Sequence, residues 1–375
     1  MLWVRAEERP SEHRTPIVPA DAAKLVGHGL HVVVEDAPQR IYPATAYAAA
    51  GCEIVPSGQW RYAPRDAYVV GLKELPDDGT PLIHSHVYFG HCYKGQPGAD
   101  ALLRRFTAGG GELLDLEYLI DAGGRRLAAF GYWAGYAGAA LGVLQAHGLL
   151  ASPLVPMSKQ GIDAHLAQVG THSEAQIVTQ IRTLVIGALG RCGTGARDAL
   201  AQAGQVVTAW DLAETRDLDR SVVIGHDLLV NAVLTTGPAP PFVTAADVRD
   251  RRRRLATIAD VTCDVGSPHH TIPIYDATTT WKEPVRRVAG EPAPLDVIAI
   301  DNLPSLLPRE ASDAFSADLA PHLRMLDGPD PGAGRSDVPW AACRQRFRQA
   351  ASQAPSQTRT EPVSHATKAG NEPTR

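Results

Sequence analysis

One segment of this 375-residue chain constrains its fold more than any other: Leu184-Val185-Ile186-Gly187-Ala188-Leu189-Gly190-Arg191-Cys192-Gly193-Thr194-Gly195. An apolar strand runs into glycines at 187, 190 and 193, and a helical pattern follows from Ala196 to Ala203. Glycines there permit a tight turn and let backbone N–H groups approach a pyrophosphate at a helix N-terminus. The spacing is G-x-x-G-x-x-G, which departs from G-x-G-x-x-G, so the order of elements carries the argument. The next strand, Val206 to Trp210, ends at Asp211. An acid roughly 20 residues past the glycine turn accepts hydrogen bonds from ribose hydroxyls and repels a 2′-phosphate. The expectation is an NAD site. The alternative is a strand–turn–helix unit with a surface aspartate.

Similar units surround this one. Strands are expected at Leu30–Val34, Cys52–Val55, Tyr68–Gly71, Leu82–Val87 and Leu113–Leu116. A second series is expected at Thr183–Ile186, Val206–Trp210, Leu228–Val233, Thr257–Val261 and Val297–Ile300. Short apolar strands separated by helical patterns point to an α/β fold with parallel sheets. The helical stretch Trp133 to Ala146 is rich in Ala and Gly, which lets a helix pack closely on a neighbour. A domain boundary is expected near Phe130-Gly131, giving 1–130 plus 304–350 as one domain and 131–303 as the dinucleotide-binding one. Residues 351–375 carry almost no large apolar side chain and read as a disordered tail.

Composition excludes several classes. Hydrophobic residues are 44% and the net charge is −5, so no global basic field exists to hold nucleic acid. Arg249-Asp250-Arg251-Arg252-Arg253-Arg254 reads as a solvated helix end. No apolar run is long enough to span a membrane, and no signal peptide is expected. Cys52, Cys92, Cys192, Cys263 and Cys343 are few and widely spaced, which fits free thiols in the cytoplasm. His84, His86 and His91 lie close together without the partner spacing of a metal site, so no metal is expected. One of these histidines suits an acid–base role. Lys73, just after a strand, can point into a cleft, and Arg14, Arg125 and Arg126 suit carboxylate recognition.

The chain resembles the NAD-dependent, lysine-forming saccharopine dehydrogenases. The resemblance runs from about residue 3 to 325. It is carried by Arg5-Ala6-Glu7, Gly71-Leu72-Lys73-Glu74, His91-Cys92-Tyr93-Lys94, Gly124-Arg125-Arg126, Ala128-Ala129-Phe130-Gly131, the glycine turn, and Asp301 to Ser312. It implies two Rossmann-like domains with the active site between them and NAD on the second. It implies Lys73 as catalytic base and His91 as catalytic acid. Arg14, Gln96, Arg126, Phe130, Thr262, Cys263 and Asp264 would contact saccharopine. Arg125, Gly190, Arg191, Asp211, Thr215, Val261, Ile300, Asp301, Asn302 and Leu303 would contact NAD. The other substrates implied are L-lysine and 2-oxoglutarate. Oligomeric state is left open, with a monomer compatible.

Four positions depart from the family pattern. Ala232 stands where a second cysteine would pair with Cys192, so Cys192 should be free. Thr262-Cys263 replaces Ser-Ala, and Asn302 replaces a histidine. An imine-reducing relative, an alanine-dehydrogenase-like enzyme and a non-catalytic NAD sensor are the alternatives.

Overall fold

The computed structural model describes residues 1–170, 180–235, 237, 239–326 and 339–353. In chain order the first unit holds β1 (Leu2–Val4), α1 (Pro19–Gly27), β2 (Val32–Glu35), α2 (Ala44–Ala49), β3 (Glu53–Val55), β4 (Tyr68–Val70), β5 (Ser85–Tyr88), α3 (Ala99–Gly109) and β6 (Glu112–Asp115). The second holds α4 (Gly131–Ala146), α5 (Lys159–Leu166), β7 (Thr183–Ile186), α6 (Arg191–Gln202), β8 (Val207–Trp210), α7 (Leu212–Thr215), α8 (Arg220–Ile224), β9 (Leu228–Asn231), α9 (Ala245–Arg249), β10 (Thr257–Asp260), β11 (Arg286–Ala289) and β12 (Leu295–Ile298). Helices α10 (Pro308–Leu323) and α11 (Ala341–Gln353) follow.

The first sheet has the order β3-β2-β1-β4-β5-β6, and every pairing in it is parallel. The second has the order β11-β12-β10-β9-β7-β8, with only the edge strand β11 antiparallel. Strands buried on both faces need continuous apolar runs, and β2, β7, β9 and β10 are buried throughout. Phe315, Leu319 and Leu323 of α10 and Cys343 of α11 return to the core of the first sheet, whereas Leu303, Leu306 and Leu307 pack on the core of the second.

The small residues of α4 have the expected cause. A Cβ on Gly135 would overlap the Cys192 carbonyl oxygen of α6, and one on Gly195 would overlap the Tyr132 carbonyl oxygen of α4. The two helices therefore cross almost backbone to backbone. All five cysteines are free thiols, including Cys192.

Several expectations need correction. Strand β1 lies at the centre of the first sheet, yet its three residues at the chain start carry too short a signal to be read. Edge strand β11 reads Arg-Arg-Val-Ala and lacks an apolar run. Residues 351–353 finish α11 and do not begin a tail; 354–375 lie outside the described residues. The arginine run is only partly solvated. Arg253 is buried and donates to the carbonyls of Val248, Leu255 and Ala293. No helix among the described residues is long and apolar enough to cross a membrane.

Candidate active site

Open parallel sheets bind ligands beyond the carboxyl ends of their strands, where the strand order reverses. In the first sheet that point lies between β1 and β4, and in the second between β7 and β9. The loops after these strands share one cleft of about 940 Å³. Lys73 and His91 line it from one side, and Gly190, Arg191 and Ala232 from the other.

Lys73 follows β4 and is held from both directions. The Glu7 carboxylate accepts the N–H groups of Leu72 (2.7 Å) and Lys73 (3.0 Å). Arg5, buried and ion-paired to Glu7 at 3.3 Å, donates to the Lys73 carbonyl. Burial pushes the Lys73 ammonium below its ordinary pKa, and the Arg14 charge pushes it further, against the pull of Asp301 and Glu12.

Arg14 is nearly buried, and its guanidinium is fixed on three sides. Glu12 takes its Nε at 2.8 Å and its Nη2 at 2.7 Å, Asn302 Oδ1 accepts Nη2 at 2.7 Å, and the Phe130 ring lies 4.2 Å from the cation. Phe130 stacks in turn on Phe315 of α10, with centroids 4.2 Å apart. Glu12 also accepts the Arg14 N–H and the Ser305 hydroxyl. Burial alone would raise the Glu12 carboxyl, but Arg14 holds it at about 2.

His91 has a left-handed backbone (φ +47), uncommon for a residue with a Cβ. Its Nδ1 meets Glu117 Oε1 at 3.2 Å, and Lys94 meets the other carboxylate oxygen at 3.1 Å. The His91 hydrogen bond, helped by Lys94, holds Glu117 at about 2. The other two histidines are core residues. His84 Nε2 pairs with the Ala63 carbonyl, and His86 sits among Trp60, Tyr88 and Phe106. Among the described residues no group of side chains could hold a metal ion.

The opposite wall fits a dinucleotide. Gly187 has φ +83, and a Cβ on Gly193 would overlap the Gly187 carbonyl oxygen, so both positions require glycine. The N-terminus of α6 has no side-chain cap, leaving its N–H groups for an anion. Asp211 follows β8 beside this turn, capping α7, with Oδ2 accepting the Leu189 N–H at 2.9 Å. Thr215 donates to the Asp211 carbonyl.

Other expected contacts divide. Arg14, Arg125, Arg126, Phe130, Gly190, Arg191, Asp301 and Asn302 line the cleft with Lys73 and His91. Ile300 and Leu303 are buried in the core, and Val261 packs against it. Gln96 lies off the cleft and accepts the Lys94 N–H. Thr262 and Asp264 line a separate small depression, and Cys263 (φ +38) donates its N–H to Asp260. Glu7 and Glu12 had no assigned role in the sequence reading. Their partners are far away in sequence or become significant only through burial.

Known proteins share this arrangement. The model of the alanine dehydrogenase/PNT N-terminal domain matches residues 3–137, and that of the C-terminal domain matches 213–337. Among solved structures, an L-alanine dehydrogenase superposes with a TM-score of 0.67 at 17% identity, covering 93% of this chain and 100% of that one. A transhydrogenase from Sinorhizobium meliloti gives 0.66 at 16% identity, covering 90% and 96%. Fold and glycine turn thus define a two-sheet dinucleotide-binding protein of the alanine dehydrogenase/PNT class.

Sequence similarity goes further. The saccharopine dehydrogenase (NAD(+), L-lysine-forming) of Schizosaccharomyces pombe is 42% identical over 344 residues, 88% of this chain and 94% of that protein. That of Candida glabrata is 41% identical over 343 residues, covering 87% and 91%. The chain belongs to the L-lysine-forming saccharopine dehydrogenase family.

Proposed function

We propose that this protein interconverts saccharopine, NAD⁺ and water with L-lysine, 2-oxoglutarate, NADH and a proton. The observation that carries the reading is the placement of Lys73, its pKa lowered, opposite the uncapped glycine turn, in a cleft that also holds Arg14, Arg125, Arg126 and Arg191. Four guanidinium groups suit a substrate with several carboxylates beside a pyrophosphate.

Gly190, Arg191 and Arg125 would hold the pyrophosphate and Asp211 the adenosine ribose. Bound NAD⁺ supplies the hydride acceptor. Lys73 takes the proton from the substrate's secondary amine, freeing the lone pair that lets the neighbouring C–H leave as hydride. Arg14 and Arg126 hold substrate carboxylates, and Phe130 supports the Arg14 guanidinium. Lys73 then passes that proton to solvent and, neutral again, accepts a proton from the water that adds to the imine. His91 protonates the departing lysine nitrogen as the carbinolamine collapses. A general base works best when its pKa is brought down toward working pH, and burial lowers that of Lys73.

The separate cores support a division into 1–130 with 304–350 against 131–303, except that Leu306 and Leu307 join the second core. The five free thiols fit a reducing cytoplasm. The test is NADH oxidation with a panel of amines and 2-oxo acids. Lysine with 2-oxoglutarate should give the highest kcat/KM. Preference for ammonia with pyruvate would show an alanine-dehydrogenase-like enzyme instead, and NADH binding without turnover would show a sensor.

A further inference from the structure

Asp115 ends β6, directly opposite Tyr88 at the end of β5. Beyond this pair the two strands part. One leads through Gly90 to His91, and the other turns through Leu116 to Glu117. Asp115 is 1% exposed and lies in the fork. Its Oδ1 accepts the Glu117 N–H at 2.9 Å and so caps the short 3₁₀ turn Leu116–Tyr118. The carboxyl is also pulled by the Gly90 N–H, and its buried Oδ2 lies where a Cβ added to Gly90 would sit 3.3 Å away. The Asp115 carbonyl accepts the Cys343 thiol of α11 at 3.3 Å, which fixes the fork to the returning C-terminal helix.

A buried carboxyl is unfavourable unless hydrogen bonds compensate it, and here both strands of the fork supply backbone N–H groups, from Gly90 and from Glu117. Burial pushes this carboxyl up to about 6, against the pull of the Glu117 N–H. The two chain segments it joins carry the His91–Glu117 pair, and His91 itself is held in a left-handed conformation one residue beyond Gly90. The general-acid imidazole therefore depends on a turn whose first N–H is set by Asp115.

We propose that Asp115 is a positioning residue for the catalytic acid. By capping the Glu117 turn in the fork between β5 and β6, it sets where the Glu117 carboxylate meets His91 Nδ1. The carboxyl touches neither substrate nor cofactor and acts through Glu117 and His91. The proposal rests on His91 being the acid, as read above.

The test is a double-mutant cycle on the full-length protein, assayed with lysine, 2-oxoglutarate and NADH. Asp115→Ala should lower kcat about tenfold or more while leaving the NADH dissociation constant, read by fluorescence quenching, within about twofold. Asp115→Asn keeps the oxygen that accepts the Glu117 N–H and should restore kcat to within about threefold of the native enzyme. In a His91→Gln background Asp115→Ala should change kcat by less than about twofold, because residues acting as a unit are not additive. Full loss in both backgrounds, or no rescue by Asn, would overturn the proposal and leave Asp115 a fold residue. Native kcat in His91→Gln alone would instead overturn the assignment of His91. Should Asp115→Ala fail to fold, Asp115→Cys, similar in size but a poor acceptor for the Glu117 N–H, takes its place: it should lose kcat as above, and native kcat in it would overturn the proposal.

Discussion

Replacing Glu12 with glutamine should destabilise the protein, because it leaves the buried Arg14 guanidinium without its counter-charge. The carboxylate is 1% exposed and takes donors from the Arg14 backbone, its Nε and Nη2, and the Ser305 hydroxyl. Removing one partner of a buried pair costs about 3–5 kcal/mol, because the other charge stays buried without compensation. The lowered carboxyl has the same sense. A fall from 4.5 to about 2 corresponds to about 3 kcal/mol. Since the folded value lies below the unfolded one, this stability is fully present above pH 4.5 and is lost as pH falls toward 2. At pH 3 about 2 kcal/mol of it should be gone from the native protein. Urea denaturation followed by tryptophan fluorescence measures this directly. The native protein should be more stable than Glu12→Gln by about 3 kcal/mol at pH 7 and by about 1 kcal/mol at pH 3. A difference below 0.5 kcal/mol at pH 7, or one that does not shrink with acid, would refute the reasoning.

Three further outcomes follow from single positions. Asp211→Ala should weaken NADH by about 1–3 kcal/mol and narrow its advantage over NADPH, read by fluorescence titration of both cofactors. Gly135→Ala puts a methyl into the Cys192 carbonyl oxygen where α4 crosses α6, and should cost about 1–3 kcal/mol in a denaturant melt. His86 is buried with both ring nitrogens unpartnered, and burial, with the nearby Arg5 charge, holds its pKa well below 6.5. The unfolded chain therefore binds a proton below pH 6.5 that the folded one refuses, so native stability falls by about 1 kcal/mol per pH unit there; His86→Leu should flatten that slope.

The strand–glycine–helix–strand–acid order was legible because each part is local. Thr183–Ile186 forms the strand expected, Gly187 and Gly193 occupy positions where a side chain cannot fit, and Asp211 stands beside the turn. Helix α6 begins at Arg191, five residues before the expected start, because its first turn is made of the same glycines that gave the loop signal. Strand β1 was not legible. Its position between β2 and β4 is a matter of long-range pairing, and three apolar residues beside Met1 carry no periodicity. The same limit applied to the site. Lys73 and His91 were singled out from motif position, whereas the Arg5–Glu7 clamp on Lys73 exists only once distant loops meet, and the Glu12–Arg14 pair, two residues apart, becomes an anchor only when buried. Thr262 donates its hydroxyl to the Val233 carbonyl and Cys263 its N–H to Asp260, contacts that the motif position of these residues does not reveal.

Lys73 offers the sharpest test of the chemistry, because two influences on it act in opposite senses. Burial and Arg14 favour the neutral amine, while Asp301 and Glu12 favour the ammonium, and the sum lies below the ordinary value of 10.5. In the direction of saccharopine oxidation the amine must be neutral to accept a proton. The rate should therefore rise with pH along a limb that titrates below 10.5. Lys73→Met should abolish that limb and lower turnover by about 10²–10⁴-fold. NADH affinity should stay nearly native, since the glycine turn and Asp211 lie on the other wall of the cleft. Glu12→Gln removes a charge that raises this pKa, so its limb should move to lower pH than in the native enzyme. Stopped-flow or steady-state pH profiles of the three proteins read both effects. A Lys73→Met enzyme that kept native turnover across the range would make the lysine a mere lining residue. A limb that stayed in place in Glu12→Gln would break the electrostatic link between the Arg14 anchor and the base.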